Sequence, residues 1–371
     1  MMKLDPAISG IPVSPQILQL QRNPKMPKIR VGVVGVGSIG DVHLAGYAAH
    51  PSLATIQAIC DVNRARLDAM GEKYGVAPQH RYTKFEHMLE REELDCLSVC
   101  TPNCFHYPYA AAALDRGIAT LIEKPITIRL EDAQHLAKIV ARSGAKAMVA
   151  FSHRFIGMNI AAKKVLDSGG IGKPFMIRVR YAHRGPYPGW AQGDWFYRRK
   201  LAGGGALLDM GIHAIDICHY LIGPITSVSA EVKTLRKDIE VDDNAVLIVD
   251  FGPARALGYI ECGWTSPPGF SGIEIYGDEG TLILDLVNGP KWIRGVTRPD
   301  GTTRTELRRL PVPKGPSHWP FQMDCWVKYV AGKRVPVALP QIQDGVRSLA
   351  VALAAMESSK TGKRIRIPKV K

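Results

Sequence analysis

The chain has 371 residues, of which 46% are hydrophobic and 22% charged, an ordinary globular balance that allows two packed domains rather than one. No apolar run reaches the ~18 residues of a membrane span, and the start lacks a secretory signal core, so we expect a cytoplasmic protein without membrane contact. The net charge of +14 comes from scattered basic residues without a nucleic-acid-binding motif, so we expect no nucleic-acid partner. The 7 cysteines form no CxxC pair and predict reduced thiols.

The first half of the chain alternates between short apolar runs and helical patterns. Residues 1–27 are proline-spotted and predict an extension before the first strand. The predicted strands are 29–34, 56–60, 97–100, 119–122 and 147–151. The predicted helices are 39–50, 63–73, 108–116 and 130–143, with a short one capped by Thr83 and Glu86. Residues 28–150 therefore predict an α/β domain, a doubly wound parallel sheet with helices on both faces.

The pattern changes after residue 151. Helices are predicted at 159–167, after Gly205, near 321–330 and at 344–359, and a strand at 175–181. Residues 225–310 consist mostly of short strand patterns separated by turn signals. We therefore expect residues 151–371 to form a second, α+β domain on one large, mostly antiparallel, open-faced sheet.

A glycine-rich turn, GVGSIG, directly follows the first predicted strand and opens a helix. In that context Gly35 permits a tight turn, Gly37 lets the backbone approach a pyrophosphate, and Gly40 lets helix and strand pack closely. The free N–H groups of a helix N-terminus favour phosphate. The turn, with Ser38 and Ile39, predicts a dinucleotide site, the alternative being a similar turn in another α/β fold.

The second predicted strand ends at an acidic residue. Asp61 follows Gly40 by 21 residues, which is where a carboxylate would bind the ribose hydroxyls of NAD. Arg64 follows closely and could contact a 2′-phosphate instead. NAD is therefore the predicted cofactor, with NADP left open.

Lys124 lies in the tripeptide Glu123-Lys124-Pro125 at the end of the fifth predicted strand. Ligands of open α/β sheets bind beyond the carboxyl ends of the strands, so this lysine would point into the cleft. An ammonium there can stabilise charge on a substrate oxygen. The alternative is a surface lysine before a turn proline.

A further segment carries an acid and an imidazole at helical spacing. If the segment is an α-helix, Asp209, His213 and Asp216 share one face. An imidazole beside a carboxylate is a credible general base, because the carboxylate orients the ring and favours its protonated form. The alternatives are a metal site, for which the face offers no further clear ligand, and a core helix with a satisfied histidine; we expect no metal.

These segments together resemble the Gfo/Idh/MocA family, which includes glucose–fructose oxidoreductase, inositol dehydrogenase and the rhizopine-catabolism oxidoreductases. The resemblance covers most of the chain from Lys28 onward. It depends on the order of the GVGSIG turn, Cys100-Thr101-Pro102-Asn103 with His106, Glu123-Lys124-Pro125, Arg154-Phe155, and Gly203 through Asp216. It implies a Rossmann domain, a second domain whose sheet often forms a homo-oligomer interface, and hydride transfer between NAD(P) and a secondary alcohol or ketone of a sugar, glycoside or cyclitol.

The resemblance also implies roles for single residues. Lys124 would hold the reacting oxygen, His213 would remove the hydroxyl proton, and Asp209 would contact substrate and orient His213. The residues that would line the cofactor are Thr101, Pro102, Asn103, His106 and Glu123, the last at the nicotinamide ribose.

The substrate side is less defined by the sequence. An aromatic loop, residues 184–197, could wall a sugar pocket with rings such as Trp195, or pack them in the core. His183 and Arg154 are expected substrate contacts on the same side. Two other functions stay open, namely redox-assisted elimination or hydrolysis of a glycoside with retained NAD, and a non-catalytic sugar or NAD sensor. The extension 1–27 is either an arm over the cofactor or a neighbouring subunit, or an unanchored start.

Overall fold

A computed structural model describes residues 27–266, 270–297 and 299–368. The predicted extension therefore lies, except for its last residue, outside the described residues. Within the described residues the first sheet has six parallel strands in the order β3-β2-β1-β4-β5-β6. They are β1 Ile29–Val34, β2 Ala54–Cys60, β3 Arg81–Tyr82, β4 Cys96–Val99, β5 Ala119–Ile122 and β6 Ala147–Val149.

Five helices connect these strands and cover both faces of the sheet. They are α1 Ser38–Ala48, α2 Arg64–Tyr74, α3 Phe85–Arg91, α4 His106–Leu114 and α5 Leu130–Ser143. Asn63 caps α2 as predicted, since its side chain accepts a hydrogen bond from the Arg66 backbone N–H at 3.0 Å. The capping box predicted at Thr83 is wrong: α3 begins after Lys84 without a side-chain cap.

The strand order reverses direction at the centre of the sheet. β1 pairs with β2 on one side and with β4 on the other, so the connections leave towards opposite edges. A crevice opens at such a reversal, beyond the carboxyl ends of the strands, and this is where ligands of doubly wound sheets bind. The glycine turn follows β1 at this point.

The second sheet contains nine strands among the described residues, in the order β14-β13-β12-β11-β7-β10-β9-β8-β15. They are β7 Pro174–Ala182, β8 Ser227–Lys233, β9 Asn244–Asp250, β10 Leu257–Gly263, β11 Gly272–Gly277, β12 Gly280–Asp285, β13 Gly289–Thr297, β14 Thr303–Arg309 and β15 Ile365–Arg366. Only β7 and β10 pair in parallel among these described strands. The predicted fold class, a Rossmann-like sheet followed by a mostly antiparallel sheet, is confirmed.

One face of the second sheet is covered and the other is open. The remaining helices are α6 Gly157–Asp167, α7 Arg199–Ala202, α8 Ile212–Leu221, α9 Trp319–Val330 and α10 Ile342–Thr361. Ile177 and Val179 of β7 are fully buried in one core with residues of α8 and α10. In β9, Leu247 is buried whereas its neighbours Val246 and Ile248 are 39% and 60% exposed, which is the two-residue period of a one-sided sheet.

The chain returns to the first sheet near its end. Met323 and Trp326 of α9 are buried in the same core as Val31 and Val33 of β1. A Cβ on Gly46 in α1 would lie 2.5 Å from Met323, so a glycine there lets the two helices approach closely. Because α9 is held against the first domain, the residues just before it are carried to the edge of the crevice.

By length and composition, the helical stretch Arg199–Leu221 is apolar enough to cross a membrane. Yet 83% of its most apolar window is buried inside the fold. This burial is typical of a core helix.

Candidate active site

A cleft of about 690 Å³ lies at the carboxyl ends of the parallel strands and is closed on its other side by the second domain. The first domain contributes the glycine turn and the segments that follow β2, β4 and β5. The second domain contributes the aromatic loop, α8 and the segment before α9. The cleft therefore collects side chains that are far apart in the sequence.

The glycine turn has the geometry that the sequence predicts. Gly35 has φ +83°, and a Cβ there would lie 2.6 Å from the Cys100 carbonyl oxygen. A Cβ on Gly40 would lie 2.0 Å from the Gly35 carbonyl oxygen. Gly37 differs, because the nearest described atom to its Cβ position is an Arg66 guanidinium nitrogen at 4.0 Å. The open space over Gly37 at the start of α1 fits a pyrophosphate.

The adjoining Ser38 and Ile39 also line the cleft. The Ser38 hydroxyl donates a hydrogen bond to the Trp190 carbonyl oxygen at 2.9 Å. The aromatic loop of the second domain is therefore tied directly to the glycine turn of the first.

Asp61 is buried at the end of β2 and lines the cleft. Its Oδ2 accepts a hydrogen bond from the Val36 N–H at 2.9 Å, and its Oδ1 accepts one from the Asn63 N–H at 2.8 Å. The carboxylate thus holds the glycine turn as well as facing the ribose end of the cleft.

The arginine next to this carboxylate is not the one that the sequence indicated. Arg64 is exposed, pairs with Asp68 at 2.9 Å, and does not line the cleft. Arg66 lines the cleft instead, with a guanidinium nitrogen 3.6 Å from Asp61 Oδ2. Arg64, the expected contact of a 2′-phosphate, therefore lies outside the cleft, because the first turn of α2 directs Arg66 inward instead.

The loop after β4 lines the cleft with Thr101, Pro102, Asn103 and His106. The Asn103 side-chain amide donates to the Ala202 carbonyl oxygen at 2.8 Å, which joins the loop to the second domain. The ring nitrogens of His106 lie 2.9 Å from the Thr101 carbonyl oxygen and 2.7 Å from that of Pro125. Burial lowers the pKa of His106, and because a neutral imidazole has a single N–H, the neutral ring donates to only one of these two carbonyl oxygens at a time.

Glu123 begins a chain of buried polar groups. Its Oε1 lies 3.1 Å from His43 Nε2, and its Oε2 accepts from the Lys124 N–H at 3.1 Å. His43 Nδ1 lies 3.1 Å from the Ser98 hydroxyl, which is 2.7 Å from the Tyr47 hydroxyl. These contacts fix the carboxylate at the floor of the cleft. His43 was not predicted from the sequence, although it lies one turn beyond the glycine motif.

Lys124 and Asp209 form the central ion pair of the cleft. Lys124 Nζ lies 2.6 Å from Asp209 Oδ1, and Trp264 Nε1 donates to Asp209 Oδ2 at 2.9 Å. Burial alone would raise the pKa of Asp209, but the charge and hydrogen bond of Lys124 and the nearby His183 bring this pKa well below its usual value. Asp209 is therefore an anion that holds the lysine in place.

His183 completes the surroundings of this carboxylate. Its Nδ1 accepts a hydrogen bond from the Gly185 N–H at 2.8 Å, so its proton is on Nε2. His183 Nε2 is 3.7 Å from Asp209 Oδ2, and the ring lines the cleft as expected.

The glycine triplet Gly203-Gly204-Gly205, which precedes Asp209, allows two segments of the chain to cross closely. A Cβ on Gly205 would lie 1.8 Å from the Asp242 carbonyl oxygen. The Asp242 carboxylate accepts hydrogen bonds from the N–H groups of Gly205 at 2.7 Å and Leu207 at 2.8 Å. The helix begins there with a π-helical stretch, Leu207–Gly211, before α8. This wider turn changes which side chains share a face.

The predicted Asp209–His213 pair is therefore wrong as a hydrogen bond. Among the described residues His213 Nδ1 has no hydrogen-bond partner, because Asp209 is used by Lys124 and Trp264. The His213 ring instead stacks on His153, with centroids 4.1 Å apart and planes 10° from parallel. Burial and the nearby His153 and Lys124 move the pKa of His213 well below its usual value, opposite to the expected direction.

Arg154 is also placed away from the substrate side. Its guanidinium is buried and donates to both oxygens of Asp216, at 2.6 and 2.8 Å, and contacts Asp344 at 3.3 Å. It does not line the cleft. The expected substrate contact is corrected to a structural ion pair, and the same pair removes Asp216 from the face of His213.

The aromatic loop lines the cleft, which favours the first of its two interpretations, a wall of the pocket. Trp195 stacks on Phe196 with centroids 3.8 Å apart, and Trp190 is 53% exposed. All three line the cleft.

Sequence reasoning missed two further imidazoles in the cleft, His153 and His318. His153 follows β6, so the rule that selected Lys124 at the end of β5 would have found it. His318 precedes α9 and accepts or donates one hydrogen bond with the Ser152 hydroxyl at 3.0 Å. No local sequence pattern predicts His318 as a site residue, because it is the packing of α9 against α1 that brings this histidine to the cleft.

Among the residues that the structure describes, no group of three or more His, Cys, Asp or Glu side chains is arranged to hold a metal ion.

Comparison with known proteins agrees with this geometry. The model of the oxidoreductase family with an NAD-binding Rossmann fold matches residues 29–151, and the model of the GFO/IDH/MocA C-terminal domain matches residues 160–283. The WlbA dehydrogenase from Bordetella pertussis, solved in complex with NADH and UDP-GlcNAcA, superposes with a TM-score of 0.80 at 26% identity, covering 94% of this chain and 100% of its own.

Two curated relatives show the same likeness in sequence. A D-glucoside 3-dehydrogenase of Escherichia coli (strain K12) is 32% identical over 205 residues, 54% of this chain and 57% of the relative. A myo-inositol 2-dehydrogenase of Thermotoga maritima is 29% identical over 266 residues, 70% of this chain and 76% of the relative.

The fold and the cleft define an NAD-binding oxidoreductase with a Rossmann domain. The chain belongs to the Gfo/Idh/MocA family, as its motifs indicated.

Proposed function

We propose that this protein transfers hydride between NAD and a secondary alcohol or ketone of a sugar, glycoside or cyclitol. The observation that carries the proposal is the meeting of Lys124 and His213 in the cleft that also contains the glycine turn. Relatives named as glucoside and inositol dehydrogenases support the substrate class. NAD is the cofactor expected from Asp61, and Arg66 is the residue that would receive the 2′-phosphate of NADP.

Each polar group has a defined task in this proposal. Lys124 Nζ, oriented by Asp209 at 2.6 Å, donates a hydrogen bond to the reacting oxygen and stabilises its negative charge. His213 is neutral and accepts the hydroxyl proton, at Nε2, because Nδ1 is enclosed. A nicotinamide cofactor held by the glycine turn and Asp61 would supply the hydride acceptor for the carbinol carbon. In ketone reduction the proton returns from His213 to the oxygen.

The burial of the site strengthens these effects. Lys124 and Asp209 expose only 16% and 6% of their side chains, so little water screens them. Glu123, held by His43, fixes the floor on which the nicotinamide ribose would lie. His183 and Trp195 are the expected contacts with other parts of the substrate, since both line the cleft.

The test is turnover of a panel of sugars, glycosides and inositols with NAD, followed by the absorbance of the reduced cofactor. We expect turnover with at least one polyol, and its loss in Lys124→Ala. Lys138→Ala, an exposed lysine of α5 that does not line the cleft, is the control. No turnover by the wild type, or full activity of Lys124→Ala, would contradict the proposal.

The same panel separates the two rival functions. Product formed from a glycoside without any net change in cofactor absorbance would favour redox-assisted elimination or hydrolysis with retained NAD. Binding of NAD or sugar without turnover, unaffected by His213→Ala, would favour a sensor.

The open face of the second sheet supports a homo-oligomer. It exposes 60% of Ile248, 47% of Leu257 and 36% of Tyr259, apolar side chains of adjacent strands. Such patches are typical of protein interfaces. Light scattering should show a dimer or tetramer that Ile248→Lys dissociates, whereas Val287→Lys, in an exposed turn, does not. A monomeric wild type would contradict this.

The cytoplasmic location stays a prediction. All seven cysteines lie among the described residues and are free thiols, which suits a reducing compartment.

A further inference from the structure

The imidazoles of His153 and His213 are stacked, but the proposed reaction gives a role only to His213. Their centroids are 4.1 Å apart and their planes 10° from parallel, and both rings line the cleft. Among the described residues, no hydrogen bond engages the Nδ1 of either ring, and both Nδ1 atoms are buried. The two rings therefore present their other nitrogen side by side to the cleft.

The protein holds His153 firmly in this position. It lies in the short helical segment Ser152–Phe155 after β6, and the Tyr181 ring meets it edge-on with centroids 4.7 Å apart. Phe151 meets His213 in the same way at 6.2 Å. A histidine that served only to fill space would not need its polar edge at a cleft, where an aromatic hydrocarbon would pack as well.

Both rings are uncharged in the free protein. Burial, with the neighbouring His318 and Lys124, lowers the pKa of His153 to about 3. The groups that face the pair are Lys124, His318 and Asp209, of which Lys124 is a cation and Asp209 an anion bound to it. Two neutral imidazoles can stack without repulsion, and each offers one N–H donor or one lone pair.

We propose that His153 binds the substrate hydroxyl on the carbon next to the reacting one, so that the site selects a vicinal diol. The inference rests on the proposed function, in which His213 takes the proton of the reacting hydroxyl. Parallel rings in contact place their nitrogens at neighbouring points, and adjacent ring hydroxyls of a sugar or cyclitol project neighbouring oxygens. His213 then accepts a hydrogen bond from the reacting hydroxyl, and the accessible nitrogen of His153 forms a hydrogen bond with the neighbouring one.

A hydrogen bond from His153 to a substrate hydroxyl would make the site selective among polyols. A site that hydrogen-bonds a hydroxyl rejects the analogue without it, because its own polar group is left unpaired. Simple packing against a sugar ring discriminates much less. His153 would thus choose among substrates through oxygen positions, while Lys124 and His213 act on whichever carbon lies between them and the nicotinamide.

The experiment compares a polyol that the wild type oxidises with each of its monodeoxy analogues, for instance D-glucose or myo-inositol and their deoxy forms. The wild type should lose about tenfold or more in kcat/KM with the analogue that lacks one hydroxyl adjacent to the oxidised carbon. In His153→Phe the parent and that analogue should be turned over with nearly equal kcat/KM. His153→Gln, which keeps a hydrogen-bonding group near the position of Nε2, should restore part of the discrimination.

The matched control is His219→Phe, the same change at a partly buried imidazole that does not line the cleft and whose buried Nε2 also lacks a described partner. It should keep the wild-type discrimination. Two results would overturn the inference while leaving the proposed function intact. One is that His153→Phe still discriminates against the deoxy analogue. The other is that both His153 variants lose kcat/KM equally on the parent and on the analogue. Absence of turnover with every polyol would instead overturn both.

Discussion

Lys124 Nζ and Asp209 Oδ1 lie 2.6 Å apart and join the end of β5 in the first domain to the π-helical stretch of the second. The lysine is thereby fixed across the domain boundary, and its ammonium is aimed into the cleft. An ion pair with so little exposure depends on both partners, because either charge alone would be buried without compensation.

Removing the lysine should therefore affect both activity and stability. Lys124→Met should lower kcat/KM about a hundredfold or more, since a donor to developing oxyanion charge is lost. It should also lower the free energy of unfolding by about 3 kcal/mol, as expected for breaking a buried pair. The double variant Lys124→Met/Asp209→Asn should regain much of the stability but none of the activity. Equal stability of the single and double variants would contradict the pairing.

The pH dependence of oxidation should show an acid limb below the usual histidine range. The base must be neutral, and the pKa of His213 lies well below its usual value through burial and the nearby His153 and Lys124. We expect kcat/KM to be already level at about pH 6.5 and to fall only at lower pH. His213→Gln should lower the rate about a hundredfold and abolish this limb. An acid limb centred at or above the ordinary pKa of a histidine would show that burial, His153 and Lys124 do not lower the pKa of His213.

Cofactor choice should depend on Asp61 and Arg66. Asp61→Ser should reduce the preference for NAD over NADP about tenfold or more, and raise KM for both, because the carboxylate also holds the Val36 N–H. Arg66→Ala should remove residual activity with NADP and leave that with NAD almost unchanged. Arg64→Ala is the control, as Arg64 faces solvent. An effect of Arg64 equal to that of Arg66 would contradict the assignment.

The glycine triplet offers a matched pair of stability variants. Gly205→Ala places a Cβ 1.8 Å from a backbone oxygen of Asp242, so the crossing must open, and we expect a loss of about 3 kcal/mol or more. Gly204→Ala meets the flexible end of Met356 at 2.5 Å and the Leu208 side chain at 3.1 Å, and these side chains can shift where a backbone oxygen cannot. Thermal unfolding should place Gly204→Ala near the wild type and Gly205→Ala far below it. Similar melting temperatures would show that the crossing is not tight.

Buried neutral histidines should make the fold sensitive to acid. Burial lowers the pKa of His219 to about 4, so the unfolded chain binds a proton there at a higher pH than the folded one does. Stability is then lost as the pH falls from the unfolded value of about 6.5 towards 4, by about 2 kcal/mol from this group at about pH 5. His219→Phe should flatten the fall in unfolding free energy over that window. An unchanged slope would contradict the account.

Much of the fold and half of the site were determined by the sequence alone. The first sheet was predictable because its strands are short buried runs separated by helices, and GVGSIG needs only its local strand–turn–helix context. Lys124 was predictable from its position at the end of a parallel strand. These signals are local, so they can be recognised in the sequence without knowing how the elements pack together.

Only the tertiary structure decided which groups act on one another. Asp209 is four residues from His213 but binds Lys124 and Trp264, because the π-helical stretch and the crossing at Gly205 turn it towards them. Its position in the sequence indicates a substrate contact for Arg154, whereas in the folded chain its guanidinium binds Asp216. His153 reaches His213 from 60 residues away in the chain, and their shared burial, which no spacing encodes, sets both pKa values.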